Sequence, residues 1–283
     1  MNIEGTTKII GVFGYPIKHT ASPEMHNAAF EALGLDYVYL PFEVRPQRLE
    51  EAAKALVSLN IVGVNVTIPH KETVCPYLDE ISREAELIGA VNTIAVSSGK
   101  LIGYNTDGQG FIASLKEDGR ETVRGKTLLV LGAGGAARAV AIQAALEGAG
   151  RIFISARLEE RAEKVTSHIE KNIPSSEAGV VPRDKIKSTL EDADFLINAT
   201  PVGMKPDDPL IIGPDCLFPH LLVFDLVYNQ GETRLMKVAR GKGCRVVGGL
   251  GMLAHQGAIS FQLWTGRKAP LEVMRGALEK KFR

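Results

Sequence analysis

The sequence predicts an α/β protein in two parts, an N-terminal α/β half and a doubly wound half, with C-terminal helices that return to the first. Three observations carry this. Short apolar, strand-like runs alternate with amphipathic helical stretches along most of the chain. Residues 127 to 139, Thr-Leu-Leu-Val-Leu-Gly-Ala-Gly-Gly-Ala-Ala-Arg-Ala, run an apolar strand straight into a glycine turn that opens a helix. After residue 252 the pattern is helical, and no strand-like run follows.

In the first half, Lys8–Phe13, Tyr37–Leu40, Gly63–Ile68 and Asn92–Val96 read as strands, and helices begin near Ser22, Gln47 and Ser82. A second series follows, with strands at Thr127–Leu131, Arg151–Ser155, Phe195–Asn198, Leu222–Leu226 and Arg245–Val247. Its helices lie near Ala136–Glu147, Glu159–Ile169 and Thr233–Ala239. Lys171–Asp184, rich in proline, serine and charge, reads as a surface loop. The last segments, Met252–Trp264 and Pro270–Lys280, are helices without a sheet of their own. Domain boundaries are expected at 1–107, completed by 252–283, and at 108–251.

At 283 residues and 45% hydrophobic, the chain can bury a large core, and its length suits about two domains. Thirty-three basic side chains balance thirty-three acidic ones, so nothing favours nucleic acid or an anionic membrane as partner. No apolar run is long enough to span a bilayer, and Lys8–Phe13 is too short for a signal peptide. Cys75, Cys216 and Cys244 are odd in number and widely spaced, which argues for reduced thiols and a cytoplasmic location.

The glycine turn reads as a cradle for a nucleotide diphosphate. Gly132 permits the tight turn, Gly134 lets backbone N–H groups approach a pyrophosphate, and Ala137 allows close helix–strand packing. A glycine turn alone can be a plain connection, so the rest of the chain must supply the substrate.

Polar clusters sit where strands should end, which is where open α/β sheets bind ligands. The first, Gly14 to Asn27, holds hydroxyls at Thr20 and Ser22 ahead of Pro23. Ser22 read plainly is a helix N-cap, which leaves Thr20 unexplained. The second, Asn65 to Glu72, puts Asn65 and Thr67 on one face of a strand, with Lys71 just beyond it. The third joins Gly89-Ala90-Val91-Asn92-Thr93 to Gly103-Tyr104-Asn105-Thr106-Asp107-Gly108. A lysine and a carboxylate in a partly dry cleft suit proton transfer at a hydroxyl or carbonyl. Read singly, Lys71 is an exposed lysine at a helix start and Asp107 the N-cap of a helix over Gly108–Leu115.

In order and spacing these clusters resemble the shikimate dehydrogenase family over nearly the whole chain. Its hydroxyl-x-Ser-Pro-x-x-His-Asn, Asn-Val-Thr-x-Pro-x-Lys, Gly-Ala-Val-Asn-Thr, Asn-Thr-Asp-Gly and Gly-Ala-Gly-Gly segments are all present. So are Asn198-Ala199-Thr200 and Gly249-Leu250-Gly251-Met252-Leu253-Ala254-His255-Gln256. The resemblance implies an N-terminal substrate domain, a Rossmann-like NADP-binding domain, and reversible NADPH-dependent reduction of 3-dehydroshikimate to shikimate in aromatic amino-acid biosynthesis.

Lys71 and Asp107 match the family's catalytic pair. Neutral Lys71 would take the hydroxyl proton during oxidation, and its ammonium would protonate the developing alkoxide during reduction. Thr20, Ser22, Asn65, Thr67, Asn92, Tyr228 and Gln256 would bind the substrate, Thr20 and Ser22 at its carboxylate. Gly132, Ala133, Gly134, Gly135, Ala136, Ala156, Arg157, Arg161, Thr200, Leu226 and Gly249 would line the cofactor. No metal is called for, and the state implied is a monomer or homodimer with a small-molecule substrate.

Cofactor choice is read at the end of the second strand of the nucleotide half. No Asp or Glu stands at the tip of Arg151–Ser155 to accept from a ribose 2′-hydroxyl; Arg157 and Arg161 stand there, four apart on a helix start, facing a 2′-phosphate. The family usually has Asn-Arg-Thr where this chain has Ala156-Arg157-Leu158, which removes two polar contacts and opens some use of NAD. Thr20 replaces the family's usual serine and narrows the carboxylate pocket, so quinate dehydrogenase is the nearest rival. A protein that only binds NADP is the alternative of another class, and retention of Lys71 and Asp107 weighs against it.

His19, His26, His70 and His255 lack metal-ligand spacing and read as structural. Met204 and Met252 read as packing or nicotinamide lining, and Phe261 and Trp264 as core.

Overall fold

The computed structural model describes residues 3–228 and 232–282. The chain divides into two compact units, Met1–Asp107 with Ala254–Lys281, and Gly108–Leu253 with Phe282.

The first unit holds β1 (Lys8–Gly14), α1 (Ser22–Ala32), β2 (Tyr37–Glu43), α2 (Leu49–Ser58), β3 (Ile61–Val66), β4 (Glu80–Ile81), α3 (Arg83–Ile88), β5 (Thr93–Ser97) and β6 (Lys100–Tyr104). These strands form one mixed sheet in the order β2-β1-β3-β5-β6-β4, in which β5 runs antiparallel to both neighbours. The β5–β6 hairpin turns on Ser98 and Gly99, both at positive φ, which is the requirement of the tight two-residue turn. Because β5 runs backwards, its start lies at the same end of the sheet as the ends of β1, β3 and β6. The segments after Gly14, Val66 and Tyr104 and the residue before Thr93 therefore converge on one edge.

Helix α9 (Gly249–Thr265) and helix α10 (Leu271–Lys281) supply the cover of this sheet from Ala254 onward. The Trp264 indole N–H donates to the Ile94 carbonyl at 2.9 Å. A side chain at Gly63 would collide with that indole, and one at Gly257 with Met25 of α1, so both glycines mark close approach. Phe261 is fully buried and Trp264 nearly so, as expected of core residues.

The second unit begins with α4 (Asp107–Glu117), whose first residue belongs to the first unit. It continues with β7 (Thr127–Leu131), α5 (Gly135–Leu146), β8 (Arg151–Ser155), α6 (Glu159–Asn172), β9 (Glu177–Val180), α7 (Ile186–Glu191), β10 (Phe195–Asn198), β11 (Leu222–Asp225), α8 (Arg234–Gly241) and β12 (Arg245–Gly248). Its sheet is wholly parallel in the order β12-β11-β10-β7-β8-β9. Strand order reverses between β7 and β10, the point at which doubly wound sheets receive ligands. A contiguous apolar cluster including Leu129, Leu196, Val223 and Leu235 fills one face. Burying each such side chain is worth about 1.5–3 kcal/mol.

Three expectations are corrected here. Lys171–Asp184 is not wholly a loop, because Glu177–Val180 adds an edge strand beside β8. The helix expected near Gln47 starts at Leu49, after one 3-10 turn over Pro46–Arg48. Lys100–Tyr104 is a strand that the period-2 reading did not supply.

Candidate active site

Lys71 and Asp107 meet. Lys71 follows β3 in a turn held by main-chain bonds, with its carbonyl accepting from Val91 N–H at 2.8 Å. The neighbouring His70 ring bonds the Val44 carbonyl at 2.7 Å. A carbonyl only accepts, so Nε2 of His70 carries the proton. Burial pushes the His70 pKa down despite that bond. Asp107 opens α4, and its N–H donates to the Asn105 side-chain oxygen at 3.0 Å, so Asn105 supplies the turn into the helix. The Asp107 carboxylate is thereby released from capping. Its Oδ2 accepts from Lys71 Nζ at 2.5 Å, and the two side chains are 7% and 16% exposed. Neither plain reading holds: Lys71 stands on no helix, and Asp107 caps none.

The other oxygen of Asp107 accepts from Asn92 Nδ2 at 2.8 Å. Asn92 cannot turn its amide over, because its Oδ1 accepts the Thr106 backbone N–H at 2.8 Å and a backbone N–H can only donate. Nδ2 also reaches Thr106 Oγ1 at 2.9 Å and Gln256 Oε1 at 3.3 Å. Gln256 and Ser260 share one face of α9, four residues apart. Ser260 Oγ lies 2.8 Å from Thr93 Oγ1 and 3.2 Å from Thr106 Oγ1.

Asn65 stands behind this layer. Its Oδ1 accepts from the Tyr39 hydroxyl at 2.7 Å, and its Nδ2 donates to Asn92 O, Thr93 Oγ1 and Ser260 Oγ. Only 6% exposed, Asn65 braces Asn92 and Thr93 through these bonds. Thr93, Thr106 and Ser260 complete the network without having been singled out in the sequence. Thr93 and Thr106 stand inside the motifs that named their neighbours, whereas Ser260 lies on an apolar helix and gives no signal except its spacing from Gln256.

The hydroxyl segment follows β1. Thr20 Oγ1 accepts from Ser22 N–H at 3.3 Å. Helix α1 starts at Ser22, with Ala21 at the cap position and no side-chain cap. Proline just inside the helix start removes one orphan donor. The N-cap reading of Ser22 thus fails, and its hydroxyl is not committed to the helix. Lys281 Nζ of α10 donates to the Thr20 carbonyl at 2.6 Å and pairs with Glu24 at 2.5 Å. Thr67 lies against Gly14, where a Cβ would strike its methyl group. Tyr228 belongs to the second unit, where its ring stands edge-on to Phe282 at 5.9 Å.

In the second unit, Gly132 follows β7 with φ of 110°, a backbone that favours glycine. A Cβ there would lie 3.1 Å from Ala199 O and 3.2 Å from Thr200 Cγ2, so the turn packs on the segment after β10. Ala133 is buried, Gly134 has open space where a Cβ would be, and no side chain caps the start of α5 at Gly135 and Ala136. Open space beside uncapped N–H groups and a helix dipole fits an anionic diphosphate. Ala137 is fully buried against the sheet. Leu226 and Gly249 follow β11 and β12 at the same edge.

Arg157 and Arg161 follow β8 and are exposed, and among the described residues neither is ion-paired. Helix α6 begins at Glu159, so Arg157 precedes it and only Arg161 lies in its first turn. The pair is not an i,i+4 helix pair, which corrects the geometry expected. Ala156 is half-buried, and Leu158 is 56% exposed.

Among the described residues, no group of three or more His, Cys, Asp or Glu side chains could hold a metal ion. The His26 ring lies parallel to Tyr39 at 4.5 Å and to Phe261 at 6.5 Å. Among the described residues, Cys75, Cys216 and Cys244 form no disulfide.

Residues 12–94 match the shikimate dehydrogenase substrate binding domain, residues 114–204 match shikimate / quinate 5-dehydrogenase, and residues 249–279 match the shikimate 5'-dehydrogenase C-terminal domain. A shikimate dehydrogenase (NADP(+)) of Methanopyrus kandleri is 48% identical, over 100% of this chain and 99% of its own length. A crystal structure of a shikimate dehydrogenase in complex with NADP+ is 42% identical with a TM-score of 0.93, over 100% of this chain and 98% of that one. The shikimate 5-dehydrogenase of Listeria monocytogenes, solved with shikimate and NAD, is 40% identical with a TM-score of 0.89, over 98% of each chain.

Proposed function

The chain belongs to the shikimate dehydrogenase family, and from that premise we propose that Lys71 and Asp107 are the acid–base pair of its reaction. The enzyme is an NADP-dependent oxidoreductase that interconverts 3-dehydroshikimate and shikimate. The observation that carries the assignment of the pair is the 2.5 Å contact between two side chains 36 residues apart, both largely buried.

When bound, NADP+ accepts a hydride from the substrate's carbinol carbon, and NADPH returns it. In oxidation, neutral Lys71 Nζ takes the hydroxyl proton as the C–H bonding pair departs, and the carbonyl forms. In reduction, the Lys71 ammonium gives that proton to the alkoxide oxygen. Asp107 accepts from Lys71 through Oδ2 and holds Nζ in place, while Asn92 fixes the carboxylate through Oδ1.

Thr20 and Ser22 bind the substrate carboxylate through neutral hydroxyls, which cost less desolvation than a buried ion pair. Thr67, Asn92, Tyr228 and Gln256 take the ring and its hydroxyls. Asn65 joins the same polar ring around the substrate, where it also holds Asn92 and Thr93. The glycine turn from Gly132 to Ala136 takes the diphosphate, and Thr200, Leu226 and Gly249 line the adjacent strand ends. Arg157 and Arg161 take the 2′-phosphate beside Ala156; their exposure and lack of ion pairs support this.

The state we infer is a monomer or homodimer, which sedimentation will decide. A cytoplasmic location fits three unbridged cysteines, and among the described residues no helix is long and apolar enough to cross a membrane. The test of the whole reading is turnover of shikimate and quinate, each with NADP+ and NAD+, followed as reduced cofactor. Shikimate with NADP+ should be the most efficient pair. Faster turnover of quinate would assign Thr20 to quinate, and cofactor binding without turnover would leave a binding protein.

A further inference from the structure

Asp225 is a fully buried carboxylate that the reaction does not use. It ends β11 in a row of paired residues, Leu131, Asn198, Asp225 and Gly248, that crosses the carboxyl ends of four parallel strands. The next residues along those strands are Gly132, Ala199, Leu226 and Gly249, the edge assigned above to the cofactor.

Three segments donate to Asp225. Thr233 Oγ1, the cap of α8, donates to Oδ2 at 2.5 Å. Asn198 Nδ2 and Val227 N–H donate to Oδ1 at 2.9 and 3.1 Å. All three donors are neutral. Burial pushes the Asp225 pKa up, and the hydrogen bonds from Thr233, Val227 and Asn198 offset part of that. Burying a charge without a cation is costly, and Asn has nearly the same shape.

A carboxylate offers something that an amide does not: both its oxygens only accept. From the sheet side it requires Asn198 to present Nδ2, the same orientation that the loop beyond requires by donating to Oδ1. There Oδ1 accepts the Thr200 N–H at 3.1 Å and the Thr200 hydroxyl at 2.7 Å. The same Nδ2 also reaches the Val202 carbonyl at 3.1 Å. The Ala199–Thr200 segment held in this way is the one packed on Gly132.

We propose that Asp225 is a positioning residue for the dinucleotide: it sets the Asn198 amide, and through it the Thr200 loop against the glycine turn, while holding Val227 and the start of α8. The proposal rests on the cofactor edge assigned under the proposed function.

The experiment is calorimetric titration of NADP+ into the intact protein and into the Asp225→Asn and Thr233→Val variants, with melting temperatures and the KM for shikimate at saturating NADP+. Both variants should weaken NADP+ binding by about tenfold, the scale of one lost charge-assisted bond, with shikimate KM within about twofold. Binding of NADP+ within about twofold of the unaltered protein by folded Asp225→Asn overturns the proposal. Should that variant not fold, the same result for Thr233→Val overturns it, as does equal weakening of both ligands. Failure of the unaltered protein to bind NADP+ would instead remove the cofactor reading beneath it.

Discussion

Asn92 donates to one oxygen of Asp107 at 2.8 Å and so leaves the other, at 2.5 Å, to Lys71. The Thr106 N–H fixes the Asn92 amide, and the three side chains form a chain with one orientation. Truncation of Asn92 to Ala should free the carboxylate to rotate. We expect kcat to fall by about tenfold or more, while an Asn92→Asp variant, which keeps the acceptor for Thr106 but sets two carboxylates together, should lose more. Activity of Asn92→Ala within about twofold of the unaltered protein would mean that the donor to Asp107 is not what matters.

Lys71→Ala removes the group assigned to the proton. Turnover should fall by roughly two or more orders of magnitude, with little change in the KM for shikimate. A raised KM at unchanged kcat would make Lys71 a binding residue instead.

His26 gives a pH prediction with a definite sign. Burial lowers its pKa from 6.5 to about 3, and neither ring nitrogen has a hydrogen-bond partner. Above pH 6.5 the ring is neutral whether the chain is folded or not. Between 6.5 and about 3 the unfolded chain binds a proton that the folded chain refuses, so stability falls as pH falls, by up to about 1.4 kcal/mol per unit. His26→Phe keeps a ring between Tyr39 and Phe261 and removes the proton. Denaturation curves of the two proteins should keep a constant separation above pH 7 and change it steadily below 6.5; parallel pH dependences would refute the assignment.

Arg157 is exposed beside a strand tip that carries no acid. Arg157→Gln should raise the KM for NADP+ by about fivefold to tenfold and leave that for NAD+ nearly unchanged, since only the former carries the 2′-phosphate. Equal effects on both cofactors would place the arginine elsewhere.

The parallel strands of the second unit were legible because each is a short apolar run between polar segments; Thr127–Leu131, Arg151–Ser155 and Phe195–Asn198 keep the limits read from sequence. Glu177–Val180 was not, being four residues at a sheet edge within a charged stretch, where pairing with β8 decides the structure rather than local pattern. Lys100–Tyr104 carried a usable signal in Ser98-Gly99, a hairpin turn pair. The reacting groups were legible as motifs, but their supports were not. Asp225 looks like the polar end of an apolar strand, and Ser260 like a small residue on a buried helix; only packing reveals what each one holds.

Lys281 ties the far end of the chain to the hydroxyl segment. Its ammonium donates to the Thr20 carbonyl at 2.6 Å and meets Glu24 on α1, 257 residues away in sequence. The ion pair is partly exposed, at 26% and 47%, so its worth in stability is small. The contact with the Thr20 carbonyl matters more, because it fixes the backbone from which the Thr20 hydroxyl projects. Lys281→Ala should therefore raise the KM for shikimate severalfold at nearly unchanged kcat and melting temperature. Glu24→Gln, which breaks the ion pair and leaves the bond to Thr20, should show a smaller rise. Steady-state kinetics of both variants at saturating NADP+ will tell; a larger effect from Glu24→Gln would mean that the surface charge pair, not the grip on Thr20, shapes this end of the site.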